Sequence, residues 1–328
     1  MKILVTGGAG YIGSHTVKEL SKEGYRPVIL DNLSEGHRGA LTEGSFHEVS
    51  LDDRDAVKRV VESEGIDAAI HFAASCYVGE SMSDPLKYYR NNSINALNLL
   101  EVLVEAGVRK FVFSSTCATY GDPVKLPLDE EHPQNPVNVY GETKLVVERV
   151  LRALDRSHDF RSVMLRYFNA SGADPDGRLG EDHRPETHLI PLVLQVALGQ
   201  RKEIGVYGDD YDTPDGTCIR DYIHVVDLAQ AHVRALRYLE NGGDSRAFNV
   251  GTGNGFSVRE VIDSARRITG HPIPERVTPR REGDPAELVA NSTRIRSELG
   301  WDPEFTSIDA IMKTAWEWHR AHPDGYAD

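Results

Sequence analysis

Six apolar runs of strand length, Lys2–Thr6, Pro27–Asp31, Ser45–Val49, Asp67–Phe72, Arg109–Ser115 and Ser162–Arg166, alternate with longer helix-period segments over the first half of the chain. The helix segments are Tyr11–Glu23, Asp53–Glu64, Pro85–Ala106 and Tyr140–Arg156. Strands that alternate with helices pair through helical crossovers, so the pattern predicts an α/β fold with a doubly wound parallel sheet and helices on both faces. The third helix opens on Asp84-Pro85, an N-cap followed by proline in the first turn, and stops at Gly107. After Arg166 the rhythm changes. Asn169 to Pro185 is rich in Gly, Pro and Asp and reads as a long ordered loop or small subdomain. Helix starts follow at Asp227-Leu-Ala-Gln and at Ser257-Val-Arg-Glu, the latter a capping box. The apolar run Ala247–Val250 lies between them and predicts a late strand recruited to the sheet.

The turn Val5-Thr-Gly7-Gly8-Ala-Gly10-Tyr11-Ile12-Gly13 joins the first strand to the first helix. Glycines there allow positive φ, let backbone N–H groups approach a pyrophosphate and let the helix pack closely with its positive end toward the phosphates. Asp31 closes the second strand 18 residues after Gly13, where a carboxylate accepts hydrogen bonds from the adenosine ribose and repels a 2′-phosphate. Asn32 follows it with no Arg or Lys alongside, so the expected cofactor is NAD rather than NADP.

Tyr140 and Lys144 are four residues apart at the start of a helix segment, so both can face one site. A phenol titrates near 10, roughly, and acts as a base at neutral pH only if a cation stabilises its phenolate. Upstream, Ser114-Ser115-Thr116-Cys117-Ala118 ends a strand and brings hydroxyls to the carboxyl edge of the sheet, where ligands bind in open α/β folds. Thr116 is placed to bridge a substrate oxygen to Tyr140.

Composition narrows the partners. Among 328 residues, 37 Lys and Arg face 51 Asp and Glu, a formal charge of −14 that disfavours nucleic acid and anionic membrane surfaces. Cys76, Cys117 and Cys218 are far apart and form no CxxC pair, so they suggest neither a disulfide framework nor a zinc site. No metal is expected. With no leader-like start and no apolar stretch of about 18 residues, the reading is a cytoplasmic protein.

The glycine turn, Asp31, the hydroxyl segment and the Tyr/Lys pair together resemble the extended short-chain dehydrogenase/reductase superfamily. Leu30-Asp-Asn-Leu-Ser34, His71-Phe-Ala-Ala74, Val78-Gly-Glu-Ser81, Leu165-Arg-Tyr-Phe-Asn169, Arg220-Asp-Tyr-Ile-His224 and Pro279-Arg-Arg-Glu-Gly-Asp284 are similar, within it, to the motifs of the UDP-glucose 4-epimerases. The resemblance runs in order along the whole chain. It implies a Rossmann domain over 1–166 with a returning segment near 221–250. A smaller C-terminal α/β domain, 167–220 and 251–328, would bind the UDP-sugar.

The resemblance further implies a catalytic trio of Thr116, Tyr140 and Lys144 acting with tightly held NAD. Cofactor contacts are expected from Gly7, Gly10, Tyr11, Ile12, Gly13, Asp31, Asn32, Ser50, Leu51, Phe72, Ala73, Ala74, Asn92, Ser114 and Phe168, besides Tyr140 and Lys144. Substrate contacts are expected from Thr116, Asn169, His188, Leu189, Val206, Tyr207, Arg220, Arg281, Asp284 and Leu288, the last as a gate beside the sugar's C2 substituent. Three departures stand out: Thr116 where many relatives have Ser, Ser50 where an Asp often reads the adenine, and Cys76 where some relatives carry Lys. Related dehydratases and decarboxylases carry acid and base groups directly after the catalytic hydroxyl; Cys117 and Ala118 occupy those places and favour epimerisation without elimination. A catalytically silent dinucleotide-binding protein would have no reason to hold the trio. A homodimer is expected, with helices Pro85–Ala106 and Tyr140–Arg156 pairing across a two-fold axis.

Overall fold

The computed structural model describes residues 1–281 and 283–327. The first half runs β1 (Lys2–Thr6), α1 (Tyr11–Lys22), β2 (Arg26–Asp31), β3 (Ser45–Glu48), α2 (Arg54–Glu64), β4 (Ala68–His71), α3 (Val78–Ser83), α4 (Pro85–Tyr88), α5 (Asn95–Glu105), β5 (Lys110–Thr116), α6 (Val139–His158) and β6 (Arg161–Tyr167). There follow β7 (Asn169–Ser171), α7 (Leu189–Ala197), β8 (Ile204–Tyr207), β9 (Ile219–His224), α8 (Val225–Glu240), β10 (Arg246–Val250), β11 (Gly255–Ser257), α9 (Val258–Thr269), β12 (Glu275–Thr278), β13 (Glu287–Leu288), α10 (Thr293–Leu299) and α11 (Ile308–Ala321).

Seven strands form one parallel sheet in the order β10-β6-β5-β4-β1-β2-β3. The strand order reverses between β1 and its neighbours β2 and β4, which opens a crevice at their carboxyl ends. Two apolar layers cover the sheet. Val17 and Leu20 of α1 pack with Leu228, Ala231 and Leu236 of α8 on one face. Val57 and Val61 of α2, Leu99 and Leu103 of α5 and Val147 and Leu151 of α6 cover the other. A second sheet, with β9 between β11 and β13 and with β7 paired to β9, forms a smaller lobe. Its core joins Val193 of α7, Val261 of α9 and Ile311 of α11.

The strands and the first two helices lie within one or two residues of their expected bounds. Elsewhere local chemistry differs. Asp84 caps α4 through the Lys87 N–H with Pro85 in the first turn, as its sequence implies, but the helix is not continuous to Ala106. A π-helical turn over Tyr89–Ile94 separates α4 from α5 and carries Asn92 and Ser93 inward. Such wide turns recur at functional sites. Ser257 forms the expected capping box with Glu260. Asp227 does not cap a helix: His224 accepts the Val226 N–H at the start of α8, and the Asp227 carboxylate accepts the Glu304 and Phe305 N–H groups. Of the segment returning after the second lobe, α8 and β10 join the large sheet and its face, whereas β9 is hydrogen-bonded into the smaller sheet.

Candidate active site

The site is built on the carboxyl ends of the central strands. Gly7 has φ 73° at the end of β1, and a Cβ there would lie 2.5 Å from the Ala73 nitrogen. A Cβ on Gly13 would lie 2.1 Å from the Gly7 carbonyl oxygen, so helix α1 can follow the strand this closely only with glycine. At Gly10 a Cβ would meet only the Gly7 oxygen at 3.4 Å and otherwise open space. Helix α1 has no side-chain cap and no acid in its first turn, which leaves the N–H groups of Tyr11, Ile12 and Gly13 for an anion. Asp31 accepts the Ala9 N–H at 3.0 Å on one carboxylate oxygen and the Leu33 N–H at 2.9 Å on the other. Each oxygen retains lone-pair capacity for a hydroxyl. Burial raises this carboxyl's pKa, against the pull of those N–H groups. Asn32 reaches the Ser50 hydroxyl at 3.5 Å, so these two expected residues lie side by side. The donor set fits a dinucleotide: a cradle for the diphosphate with an acid beside it.

Several expected cofactor residues have side chains engaged elsewhere. The Tyr11 hydroxyl donates to the Gly172 carbonyl at 2.7 Å, and Leu51 is buried in the core beneath α2. Phe72 lies 4.6 Å, ring to ring, from His232 of α8; Phe72 and Ala73 both donate N–H groups to the Thr6 carbonyl. Asn92 accepts the Ser75 N–H and donates to the Ser75 carbonyl and the Thr143 hydroxyl, joining the loop after β4 to α6. Phe168 packs in a small buried cluster with Tyr120, Leu128 and Ala290. For Leu51, Phe72 and Asn92 the sequence did not distinguish a side chain that touches a ligand from one that shapes the wall.

Thr116 ends β5, and Tyr140 and Lys144 stand on the first turns of α6, all three buried. Asn138 caps α6 by accepting the Gly141 N–H, and the Tyr140 N–H donates to Ser81 of α3. A Cβ at Gly141 would fall 2.4 Å from the Ala118 oxygen, so glycine lets the helix sit against the turn that follows Thr116. Lys144 donates to the Ser114 carbonyl at 2.8 Å, with its nitrogen 5.0 Å from the Phe113 ring centre and 6.0 Å from that of Tyr140. Burial lowers the ammonium's pKa to about 8 and pushes the Tyr140 phenol well up; the Thr116 hydroxyl favours the phenolate but is outweighed. Ser114 also hydrogen-bonds the Tyr167 hydroxyl at 2.9 Å.

The expected substrate residues divide. Arg220 on β9 is paired with Asp284 at 3.2 Å, and Leu288 on β13 lies in register with Arg220 while packing against the cluster of Phe168 and Tyr120. Arg281 places its guanidinium 3.8 Å from the centre of the exposed Tyr207 ring. Asn169 is exposed at the start of β7, and Leu189 opens α7, which has no side-chain cap. Val206 is fully buried, with its side chain in the core of the smaller lobe. His188 turns its imidazole onto Glu181 and Glu186, at 2.9 and 3.0 Å, rather than toward Arg220.

Sequence reading passed over the clamp behind the trio. Arg166 of β6 donates twice to Glu148 of α6, at 2.9 and 2.6 Å, and Ser115 donates to the same carboxylate at 2.7 Å. Its signal was available: Glu148 is one helical turn beyond Lys144 on the same face.

A sequence profile of the "NAD dependent epimerase/dehydratase family" matches residues 3–251. The chain belongs to this family. It is 52% identical to a UDP-glucose 4-epimerase of Halalkalibacterium halodurans, over 100% of this chain and 98% of that one. Among solved structures of the family, the UDP-glucose 4-epimerase of Brucella ovis in complex with NAD is 50% identical with a TM-score of 0.94, covering 96% of this chain and 97% of that one. The Bifidobacterium longum UDP-glucose 4-epimerase in complex with NAD+ and UDP is 41% identical with a TM-score of 0.94, over 99% and 100% of the two chains.

Proposed function

We propose that this chain interconverts UDP-glucose and UDP-galactose at C4 with NAD as a retained cofactor. The observation that carries the reading is the convergence of Thr116, Tyr140 and Lys144 at the strand edge beside a glycine cradle whose helix end has no side-chain cap. Bound NAD supplies a reversible hydride acceptor. Tyr140 removes the proton of the sugar 4-hydroxyl and later returns it, while Thr116 orients that oxygen. Burial holds the free phenol neutral, so proton removal depends on positive charge close by. Lys144 supplies one such charge. The resulting 4-keto sugar must present its other face before the proton and hydride return, and the UDP therefore has to stay anchored. Arg220 and Arg281 suit the diphosphate by their forks of donors, Asp284 holds Arg220 in place, and Asn169 and the start of α7 at Leu189 offer polar groups to the nucleotide.

Elimination chemistry is disfavoured on chemical grounds. The position after Thr116 is Cys117, whose thiol burial pushes up to about 12, and Ala118 follows, so neither exchanges protons with C5 or C6 of a keto sugar. Leu288, beside Arg220, is intermediate in size. We read it as admitting the N-acetylated pair at lower rate, with UDP-glucose and UDP-galactose the main substrates.

A homodimer fits the surface. Val78, Met82, Leu86, Tyr89 and Ile94 are exposed apolar side chains clustered along α3, α4 and the π turn. The covered faces of α5 and α6 are already used against the sheet. No helix among the described residues is long and apolar enough to cross a membrane. Three free cysteines suit a reducing compartment such as the cytoplasm. The testing experiment is incubation of purified protein with UDP-galactose and no added cofactor, followed by chromatography. UDP-glucose should accumulate to equilibrium; a 4-keto-6-deoxy product, or NADH appearing in step with turnover, would contradict the reading.

A further inference from the structure

The loop between β7 and α7 carries Glu181, His183, Glu186 and His188, and it folds one ligand-type atom of each to within 4.8 Å of all the others. His188 Nδ1 lies 2.9 Å from Glu181 and 3.0 Å from Glu186, and His183 Nδ1 lies 3.3 and 3.5 Å from the same two carboxylates. Four ligands at about 2.0–2.1 Å from a tetrahedral zinc ion stand about 3.3 Å from one another; the four histidine–carboxylate separations lie about that value, with Glu186 meeting His188 through Oε1 and His183 through Oε2. The Glu181 and Glu186 side chains are only 4% and 6% exposed, so two carboxylates are buried side by side in a chain that is already strongly acidic, with His188, 42% exposed, at the solvent side of the cluster. His183 gives an independent pointer. Its Nδ1 is buried and lies 3.3 and 3.5 Å from the two carboxylates, yet it has no hydrogen-bond partner among the described residues.

We propose that these four residues form a closed site for a divalent transition metal of the zinc class. Two imidazoles argue against calcium or magnesium, which take oxygen ligands, and two carboxylates with neutral histidines balance a double positive charge. Four protein ligands leave no open coordination position, so the ion holds structure and does not react. Its position says what it holds. The His183 ring meets Tyr11 and Tyr77 edge-on at 6.2 and 6.1 Å, Tyr11 being the first residue of α1 at the glycine turn. His188 directly precedes α7. The ion would therefore fasten the start of the helix bearing Leu189 against the wall of the cofactor crevice.

The test uses the full chain, stripped by chelator, loaded with Zn2+ and desalted, with metal content read by mass spectrometry. The proposal expects about one zinc per chain and a Tm that rises with zinc and falls with chelator. Co2+ in place of Zn2+ should give visible bands of tetrahedral intensity. His183→Ala and Glu186→Gln should each lose the retained metal and the zinc-dependent rise in Tm. Zinc retention below about a tenth per chain, with Tm indifferent to zinc and chelator, would overturn the proposal and leave the four residues as an ion-pair network. Equal retention by both variants would overturn it too, as would a weak octahedral cobalt spectrum. The cobalt spectrum is taken on the unsubstituted chain, so a variant that fails to fold does not block the decision.

Discussion

Burial acts on Tyr140 and Lys144 in the same way: it penalises whichever form is charged, so the phenol is harder to ionise and the ammonium easier to neutralise. Tyr140→Phe removes the ionisable oxygen alone, and turnover should fall by about 10²–10⁴-fold or more with the melting curve intact. A near-normal rate would take Tyr140 out of the mechanism. For Lys144, lowered from 10.5 to about 8, folded and unfolded chains are both protonated below pH 8 and the burial penalty is fully present. Between about 8 and 10.5 the unfolded chain binds the extra proton, so this residue's share of stability rises with pH. In cofactor-free protein, the stability difference between the unsubstituted chain and Lys144→Met should thus shift toward the unsubstituted chain from about pH 7 to about 9.5, and a flat difference would contradict it. At Leu288, Tyr should suppress activity on UDP-N-acetylglucosamine selectively, because bulk clashes only with the larger C2 substituent; equal loss on both sugar pairs would move the gate elsewhere. Residue types single out Tyr140, Lys144 and Asp31 as candidates, since their chemistry and spacing are specific, and the structure places all three at the ends or flanks of the central strands. They did not carry the roles of Val206 or Asn92, because an apolar or amide side chain at a site edge reads alike whether it faces ligand, core or a neighbouring loop.

At the scale of elements, α6 is fixed to the sheet by one buried ion pair. Glu148 and Arg166 are both nearly inaccessible, and the carboxylate also accepts from Ser115 beside Thr116, from Gln134 and from Arg152. Glu148→Ala should destabilise the fold by about 3–5 kcal/mol in denaturant titration, because it leaves Arg166 charged and buried without its partner; a loss under about 1 kcal/mol would contradict the clamp. The large sheet was legible because apolar strands and capped helices alternate in a fixed rhythm. The interruption at Tyr89–Ile94 was not: every residue there is compatible with an ordinary helix, and the wide turn follows from contacts of Asn92 with Ser75 and Thr143, residues distant in sequence. The short strands β7, β11 and β13, of two or three residues each, lack the length for a period-2 pattern to declare itself. The Glu181 to His188 cluster is not legible in cysteine spacing, since it is made of two histidines and two glutamates.

Across the whole molecule, the glycine turn and the ends of the central strands belong to the large sheet, whereas Arg220 lies on β9 of the smaller one, so the proposed reaction draws on residues of both. The exposed apolar stretch on α3 and α4 lies on the outside of the first lobe. Met82→Glu with Leu86→Glu should turn a dimer into a monomer in sedimentation analysis, and an unchanged sedimentation coefficient would place the interface elsewhere. In the proposed reaction C4 loses and regains the same hydrogen. The most direct measurement starts from UDP-galactose deuterated at C4, in ordinary water, and reads the UDP-glucose formed by mass spectrometry and NMR. The account predicts that the deuterium is retained at C4; its loss to solvent, or its appearance at another carbon, would contradict it.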